Sequence, residues 1–338
     1  MNDNISEVLI RTAVHRGISA MKESPKRTIR NLVDLALTFT DGRFQQQFFE
    51  TAQQMLEDES SAYYHLVQNL AENTDEDRLL TFGMNIGYNG CTLGANRIRS
   101  IEAQEGYNIP WSVSLGIRMK DYSEKEDAYH ALIGQGENLG IYCWLLFPTS
   151  EPEKCLSMVR SHPDSAFILM CPEQTNVGVL IDESCGVNNL MVAVRYNSMA
   201  GANCDMLTEA RMLYSLYYPY DEHALEVVAD GSLFHKMEQL KPAFSVLLPA
   251  KGCPESVERQ VYIAIQEARM SQDYQTILWE LFQDSLLVDS VISEEGCWAA
   301  FDENGCYHGI HTDGTVTFVP SAEMDLQEIL RKASVFAK

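Results

Sequence analysis

Apolar positions in the first hundred residues recur with helical spacing. Ser24-Pro25 reads as an N-cap followed by a proline at the first helical position, and Ile29, Leu32, Val33 and Ala36 follow until Asp41-Gly42 stops the run. A second stripe holds Phe44, Phe48, Ala52 and Met55, and a third begins after Ser60-Ser61 with Tyr64, Val67 and Leu70. Aromatic stripes of this kind belong to a core. This part is expected to be a small helical domain or cap, connected onward through GMNIGYNGCTLGANRIRSIEAQEG.

From about Trp111 the rhythm changes to short β-rich runs alternating with amphipathic helices. The predicted strands are 111–117, 140–147, 166–171, 189–196, 223–229 and 244–249. A helix between the first two starts at a capping-box pattern, Ser123 with Glu126, and Gly140 can close it. Later helices fit 152–161, 205–218 and 255–271. Strands separated by helices of this length pair in parallel with right-handed crossovers. The pattern predicts an open or partly closed (β/α) barrel or a doubly wound sheet, with ligands at the C-terminal strand ends. After Ser290, turns at Glu303-Asn304-Gly305 and Thr312-Asp313-Gly314 predict one or two small hairpins, and MDLQEILRKASVF a closing helix.

Composition narrows the function classes. The chain has 338 residues, 48 Asp+Glu against 25 Lys+Arg, and a formal charge of −23. Such an acidic balance argues against nucleic acid or an anionic membrane surface as the main partner, and leaves proteins, peptides and small cationic ligands. The N-terminal residues lack the apolar core of a signal peptide. The longest apolar stretch, Leu139 to Pro148, is about half of the ~20 residues a spanning helix needs, so a cytoplasmic protein is expected. Nine scattered cysteines, with no CxxC pair, read as buried thiols in a reducing compartment.

No Walker loop, strand-borne GxGxxG, GxSxG elbow or HExxH is present. His308 and His311 can meet near a hairpin but lack a third ligand.

Three stretches resemble one family. FGMNIGYNGCTLGANRIRSIEAQEGYNIPWSVSLGI is similar to the lead-in of bacterial radical S-adenosylmethionine proteins with a C-terminal SPASM-like region, where a GYN-containing stretch runs through IPW into the first barrel strand. ALIGQGENLGIYCWLLFPTSEP followed by DSAFILMCPEQTNVGVLIDE resembles the passage into that family's GGEP motif and the strand after it. ISEEGCWAAF with YHGIHTDGTVTFVP resembles its glycine-cysteine stretch and cysteine-bearing hairpin. The resemblance covers nearly the whole chain in order. It implies a partial (β/α)6 TIM-like barrel over residues 107–289, an N-terminal helical domain over 1–106, and a SPASM-like remnant hairpin with the C-terminal helix over 290–338.

Departures from the family's pattern shape the functional expectation. The CxxxCxxC that should follow the first strand is missing, because Ile117 leads into RMKDYSEKEDAYHAL and no cysteine lies between Cys91 and Cys143. Three thiolates at that place hold the family's four-iron cluster, whose fourth iron binds S-adenosylmethionine. GGEP has become Thr149-Ser150-Glu151-Pro152. The strand that ends in serine and glutamate in the family reads Val194-Arg195-Tyr196-Asn197. Cys297 matches a family cysteine of the auxiliary cluster, whereas Val319 stands where the next is expected.

Loss of the triad, the glycines and an auxiliary cysteine together implies a degenerate member. It is expected to be a pseudoenzyme without cluster or S-adenosylmethionine, binding a protein or peptide partner or a ligand at the barrel mouth. Thr149, Ser150, Glu151, Arg195, Asn197 and Asp284 are the remnant-pocket candidates, and Cys297 the remnant auxiliary-site cysteine. The enzyme alternative reroutes the cluster to ligands such as Cys143, Cys171 and Cys297, or runs other barrel chemistry with Glu151, Arg195, Asn197 and Asp284. A simpler role for Glu151 is a carboxylate favouring a helix N-terminus, and for Arg195 a filler of the vacated pocket. A small-molecule site, for instance for a cation, is the third reading.

Overall fold

A computed structural model describes residues 2–38, 43–293, 296–320 and 324–336. Its strands are β1 Ser112–Ile117, β2 Cys143–Pro148, β3 Ala166–Met170, β4 Leu190–Arg195, β5 Tyr214–Tyr220, β6 Phe244–Pro249, β7 Ile277–Glu280, β8 Cys297–Phe301, β9 Tyr307–His311 and β10 Val316–Val319. The chain forms two compact units, each made of two stretches: Met1–Leu80 with Val192–Gln283, and Thr81–Met191 with Asp284–Lys338.

In the first unit β4, β5, β6 and β7 lie side by side, all parallel. The unit also holds the N-terminal helices, including Pro25–Thr38 and Tyr63–Asn73. Val33, Leu56 and Tyr64 form their core, with Ile29, Leu37, Phe49 and Ala52 against it. The Tyr64 ring is flanked by Lys26 and Arg30 at 5.4 and 5.5 Å, and its hydroxyl donates to the Leu56 carbonyl at 2.5 Å. Of the predicted stripes, Ile29, Val33, Ala52 and Tyr64 are therefore packing residues, joined by Leu37, Phe49 and Leu56, which the spacing did not pick out. Asp41-Gly42 and the side chains of Phe44 and Phe48 lie outside the described residues.

Two sequence expectations fail in this unit. The 205–218 segment is not one helix: a helix runs over Ala200–Glu209, and Tyr214–Tyr220 is β5. The break falls at Arg211, which adopts a left-handed backbone (φ 52°) while its guanidinium donates to the carbonyls of Glu72 and Thr74 at 2.9 and 2.7 Å. That partner is 137 residues away in sequence, so local periodicity cannot reveal it. Residues 223–229 are helical, not a strand. Asp221 accepts the His223 N–H at 2.9 Å and caps a short 3-10 turn over Glu222–Ala224, which continues into the helix Leu225–Ala229. The two neighbouring valines, 227 and 228, give a β-like local composition that this cap overrides. Strand β7, four residues long, had no prediction.

In the second unit the order is β10-β9-β8-β1-β2-β3. Strands β8, β1, β2 and β3 are parallel, while β9 and β10 are joined antiparallel as hairpins at the two expected turns. The helix Tyr122–Leu139 covers one face, because a Cβ on Gly136 would lie 2.4 Å from the Trp144 ring. Its C-terminus closes at Gly140 with φ 102°, as expected. Its start differs: no side-chain cap forms at Ser123, and Glu126 instead accepts the Ser157 hydroxyl at 2.6 Å.

The glycine-rich lead-in is not a linker. It is a wide π-helical turn over Asn85–Gly94 followed by the helix Ala95–Glu105. Gly94 is required there: a Cβ would sit 2.3 Å from the Gly140 carbonyl oxygen, and one on Gly140 would sit 2.6 Å from that of Gly94. The closing helix over Leu326–Phe336 is present.

Candidate functional site

Ligands in parallel α/β folds sit at the C-terminal strand ends. In the second unit, β1 passes through Arg118 into a single 3-10 turn, Met119–Asp121, and then directly into the helix Tyr122–Leu139. The Thr149 N–H donates to the Ile117 carbonyl at 2.9 Å, and its hydroxyl accepts the Met119 N–H at 3.1 Å. Thr149 therefore pins the turn after β1.

Behind it, Met119 is buried with its sulfur 4.0 Å from Cys155 Sγ. Cys171, just past β3, is also buried and donates weakly to the Leu169 carbonyl at 3.6 Å. Burial pushes the Cys155 thiol up to about 12 and raises Cys171 as well, so both are neutral packing groups near neutral pH. Arg118 leans across the turn toward the β8–β9 loop, donating to Asn304 Oδ1 at 2.6 Å, with Glu303 at 3.7 Å.

Ser150 is exposed. Glu151 adopts a left-handed backbone (φ 43°, ψ 56°) just before the 3-10 turn Pro152–Cys155, and its exposed carboxylate pairs with Lys154 at 2.7 Å. Asp284 is buried in the first turn of the helix Leu281–Ile292.

In the first unit, Arg195 ends β4 opposite Tyr217 of β5, and both are half-buried. Asn197 shapes the turn that follows: Oδ1 accepts the Met199 N–H at 2.9 Å, and its carbonyl accepts the Ala200 N–H at 3.1 Å. A pair that sequence reading missed lies further along. The Tyr220 hydroxyl, at the end of β5, donates to Glu280 Oε1 at 3.0 Å at the end of β7. Burial first, then the Glu280 carboxylate, pushes the phenol well above its usual range. Glu280 Oε2 accepts the Gln283 N–H at 2.6 Å. Glu280 lies in the short strand that no prediction covered, so no sequence signal marked it.

The three cysteines of the rerouted-cluster alternative do not converge. Cys143 pairs with Ala166 at the N-terminal end of the sheet, and Cys171 lies five residues beyond Ala166, about 16 Å at ~3.3 Å per residue. Cys297 starts β8, on the far side of β1 from β2, at the N-terminal end as well. Among the described residues no three His, Cys, Asp or Glu side chains are grouped to hold a metal ion.

Cys297 belongs instead to a buried constellation. Asp289, in the last turn of the helix Leu281–Ile292, accepts the Trp111 N–H at 2.6 Å and the Cys297 N–H at 2.5 Å. It thus ties the chain entering β1 to the first residue of β8. Cys297 Sγ lies 3.7 Å from the Tyr307 hydroxyl. Burial is the largest cause of an Asp289 pKa of about 8; the two N–H bonds lower it, and the nearby Glu102 charge raises it. Burial and Asp289 together push the Cys297 thiol up to about 12.

His308 and His311 do not meet. They are three residues apart on β9 and so point to opposite faces. His308 faces Asp302 Oδ2 at 3.3 Å, whereas His311 is buried with Nε2 3.4 Å from the Thr317 hydroxyl.

No family model matches the sequence, and no curated protein matches it. Similarity appears at the level of structure. A crystal structure of SuiB from Streptococcus suis bound to S-adenosylmethionine has a TM-score of 0.50 and 8% identity, over 89% of this chain and 80% of that one. The fold is radical S-adenosylmethionine-like. A second SuiB crystal structure matches with a TM-score of 0.45 and 7% identity, over 82% of this chain and 72% of that one. The mostly parallel sheet with flanking helices matches the partial TIM-like barrel of that fold.

The residues after β1 do not fit the cluster of a radical S-adenosylmethionine site. The turn there is Arg118, Met119, Lys120 and Asp121, without a thiol. No helix among the described residues is long and apolar enough to cross a membrane.

Proposed function

We propose that this chain is a radical S-adenosylmethionine-like barrel protein that has given up radical chemistry and acts by binding a protein or peptide partner. The reading rests above all on the turn after β1. Four residues there replace a cluster-binding loop, Thr149 fastens the turn, and Met119 packs against Cys155 behind it. A cluster requires three deprotonated sulfur ligands within one loop, and this turn supplies none. Neither an iron-sulfur cluster nor S-adenosylmethionine is therefore expected as a cofactor. Nine free cysteines support a reducing, cytoplasmic setting.

The decisive experiment is anaerobic reconstitution with iron and sulfide, followed by iron counting, and then S-adenosylmethionine under reducing conditions. The expected result is substoichiometric iron and no cleavage. Four irons per chain, with cleavage of S-adenosylmethionine, would overturn the proposal.

A further inference from the structure

Strand β10 is terminal in the order of its sheet, so among the described residues one of its edges has no strand beside it. The register fixes which backbone groups lie on that edge. The His311 N–H donates to the Thr315 carbonyl at 2.9 Å, so in this antiparallel pair the Thr317–Gly309 and Val319–Tyr307 positions exchange hydrogen bonds inward. Val316 and Phe318 therefore direct their N–H and C=O groups outward. Their side chains share one face of the hairpin and are 65% and 53% exposed. Across the strands, Trp298 and Ile310 lie level with Val316, and Ala300 and His308 lie level with Phe318. The His308 and Phe318 rings touch at 5.1 Å. Thr317 and Val319 are buried on the other face, where the helix Leu326–Phe336 packs against β10.

Exposed edges in folded proteins are usually guarded by lysine, proline or a bulge, because an open row of amides pairs readily with another strand. The run from Val316 to Val319 contains no charge and no proline. The hairpin strands and their turns, residues 297–319, carry Asp302, Glu303 and Asp313 and no lysine or arginine, Arg118 being the cation that reaches Glu303, and the chain as a whole has a formal charge of −23. Like charge opposes a second copy of this chain on the edge and favours a basic strand.

We infer that β10 is a docking edge for an extended basic peptide, which adds as a further antiparallel or parallel strand and lays apolar side chains over Val316 and Phe318. This deepens the partner-binding reading and rests on it. Its test is independent of iron, so failure here leaves the loss of radical chemistry standing, and a loaded cluster leaves this binding to be measured.

The probe is a fluorescent, end-blocked heptapeptide of alternating lysine and valine, titrated into the full chain and followed by anisotropy. Residues of a strand alternate between its two edges, so N-methylation of the valine amides and of the lysine amides affects opposite edges. One methylated peptide is expected to lose at least tenfold in affinity and the other to bind like the parent. A glutamate-valine peptide should not bind. Val316→Pro, which removes an outward N–H without touching the ladder to β9, should weaken binding tenfold or more. Phe318→Lys at an exposed position should do the same and serves if the proline variant fails to fold. The inference is overturned if both methylated peptides bind like the parent, if binding survives Phe318→Lys, if the parent does not bind at millimolar concentration, or if sedimentation shows a dimer that Phe318→Lys dissociates.

Discussion

Asp289 offers the sharpest quantitative test of how the second unit is held together. Its carboxyl is fully buried between β1 and β8, and its pKa is raised from 3.8 to about 8. The folded chain thus binds a proton there more tightly than the unfolded chain does. The associated stability is fully present below the unfolded pKa, near pH 4, and is lost as pH rises through the folded pKa, near pH 8. Between those limits the loss is about 1.4 kcal/mol per pH unit, so roughly 2.7 kcal/mol disappears between pH 5 and pH 7.

Other groups titrate over the same range, and Asp289→Asn removes only this contribution. The variant still accepts one of the two backbone N–H bonds but sets an amide against the other, so it is expected to be less stable than wild type at pH 5. Urea denaturation of both proteins at pH 5, 6, 7 and 8 should show the wild type losing about 2 to 3 kcal/mol relative to the variant by pH 7. A difference that stays flat to within about 0.5 kcal/mol across the series would refute the assignment of this carboxyl as a proton-holding group.

Three further outcomes can be checked. Gly94→Ala drives a methyl into the Gly140 carbonyl and should cost roughly 2 to 3 kcal/mol in chemical denaturation, whereas an effect under about 0.5 kcal/mol would contradict the close approach. Glu151→Gly relieves a left-handed backbone at the expense of one exposed ion pair. A gain of up to about 1 kcal/mol is expected in thermal melts, and a clear loss would mean the carboxylate matters more than its exposure implies. Brief alkylation at pH 8 with mass-spectrometric readout should label exposed Cys185 and spare Cys143, Cys171 and Cys297; comparable labelling of Cys297 would argue against its burial beside Asp289.

Much of the architecture was legible because it depends on local rules. The helix expected over 255–271 forms over Glu255–Ser271, and both C-terminal turns fall on their glycine-bearing signals. Strands β1, β3, β4 and β6 are apolar runs bounded by polar segments, a pattern that needs no distant information. The absence of cysteines between Ile117 and Cys143 is likewise a property of the sequence alone.

What escaped depends on contacts between residues far apart in the chain. The break at Arg211 is set by carbonyls of a helix more than a hundred residues earlier, and the lead-in glycines are explained only when Gly94 meets Gly140. The resemblance places Glu151 in a motif, and only the folded chain adds its left-handed backbone and its exposed pairing with Lys154. Cys297 looked like a cluster remnant, yet tertiary packing makes it the backbone partner of a buried aspartate. Local spacing determines most of the elements, though not the break at Arg211. Burial, register and long-range hydrogen bonds, which arise only when those elements pack, decided where each polar side chain points and what it can do.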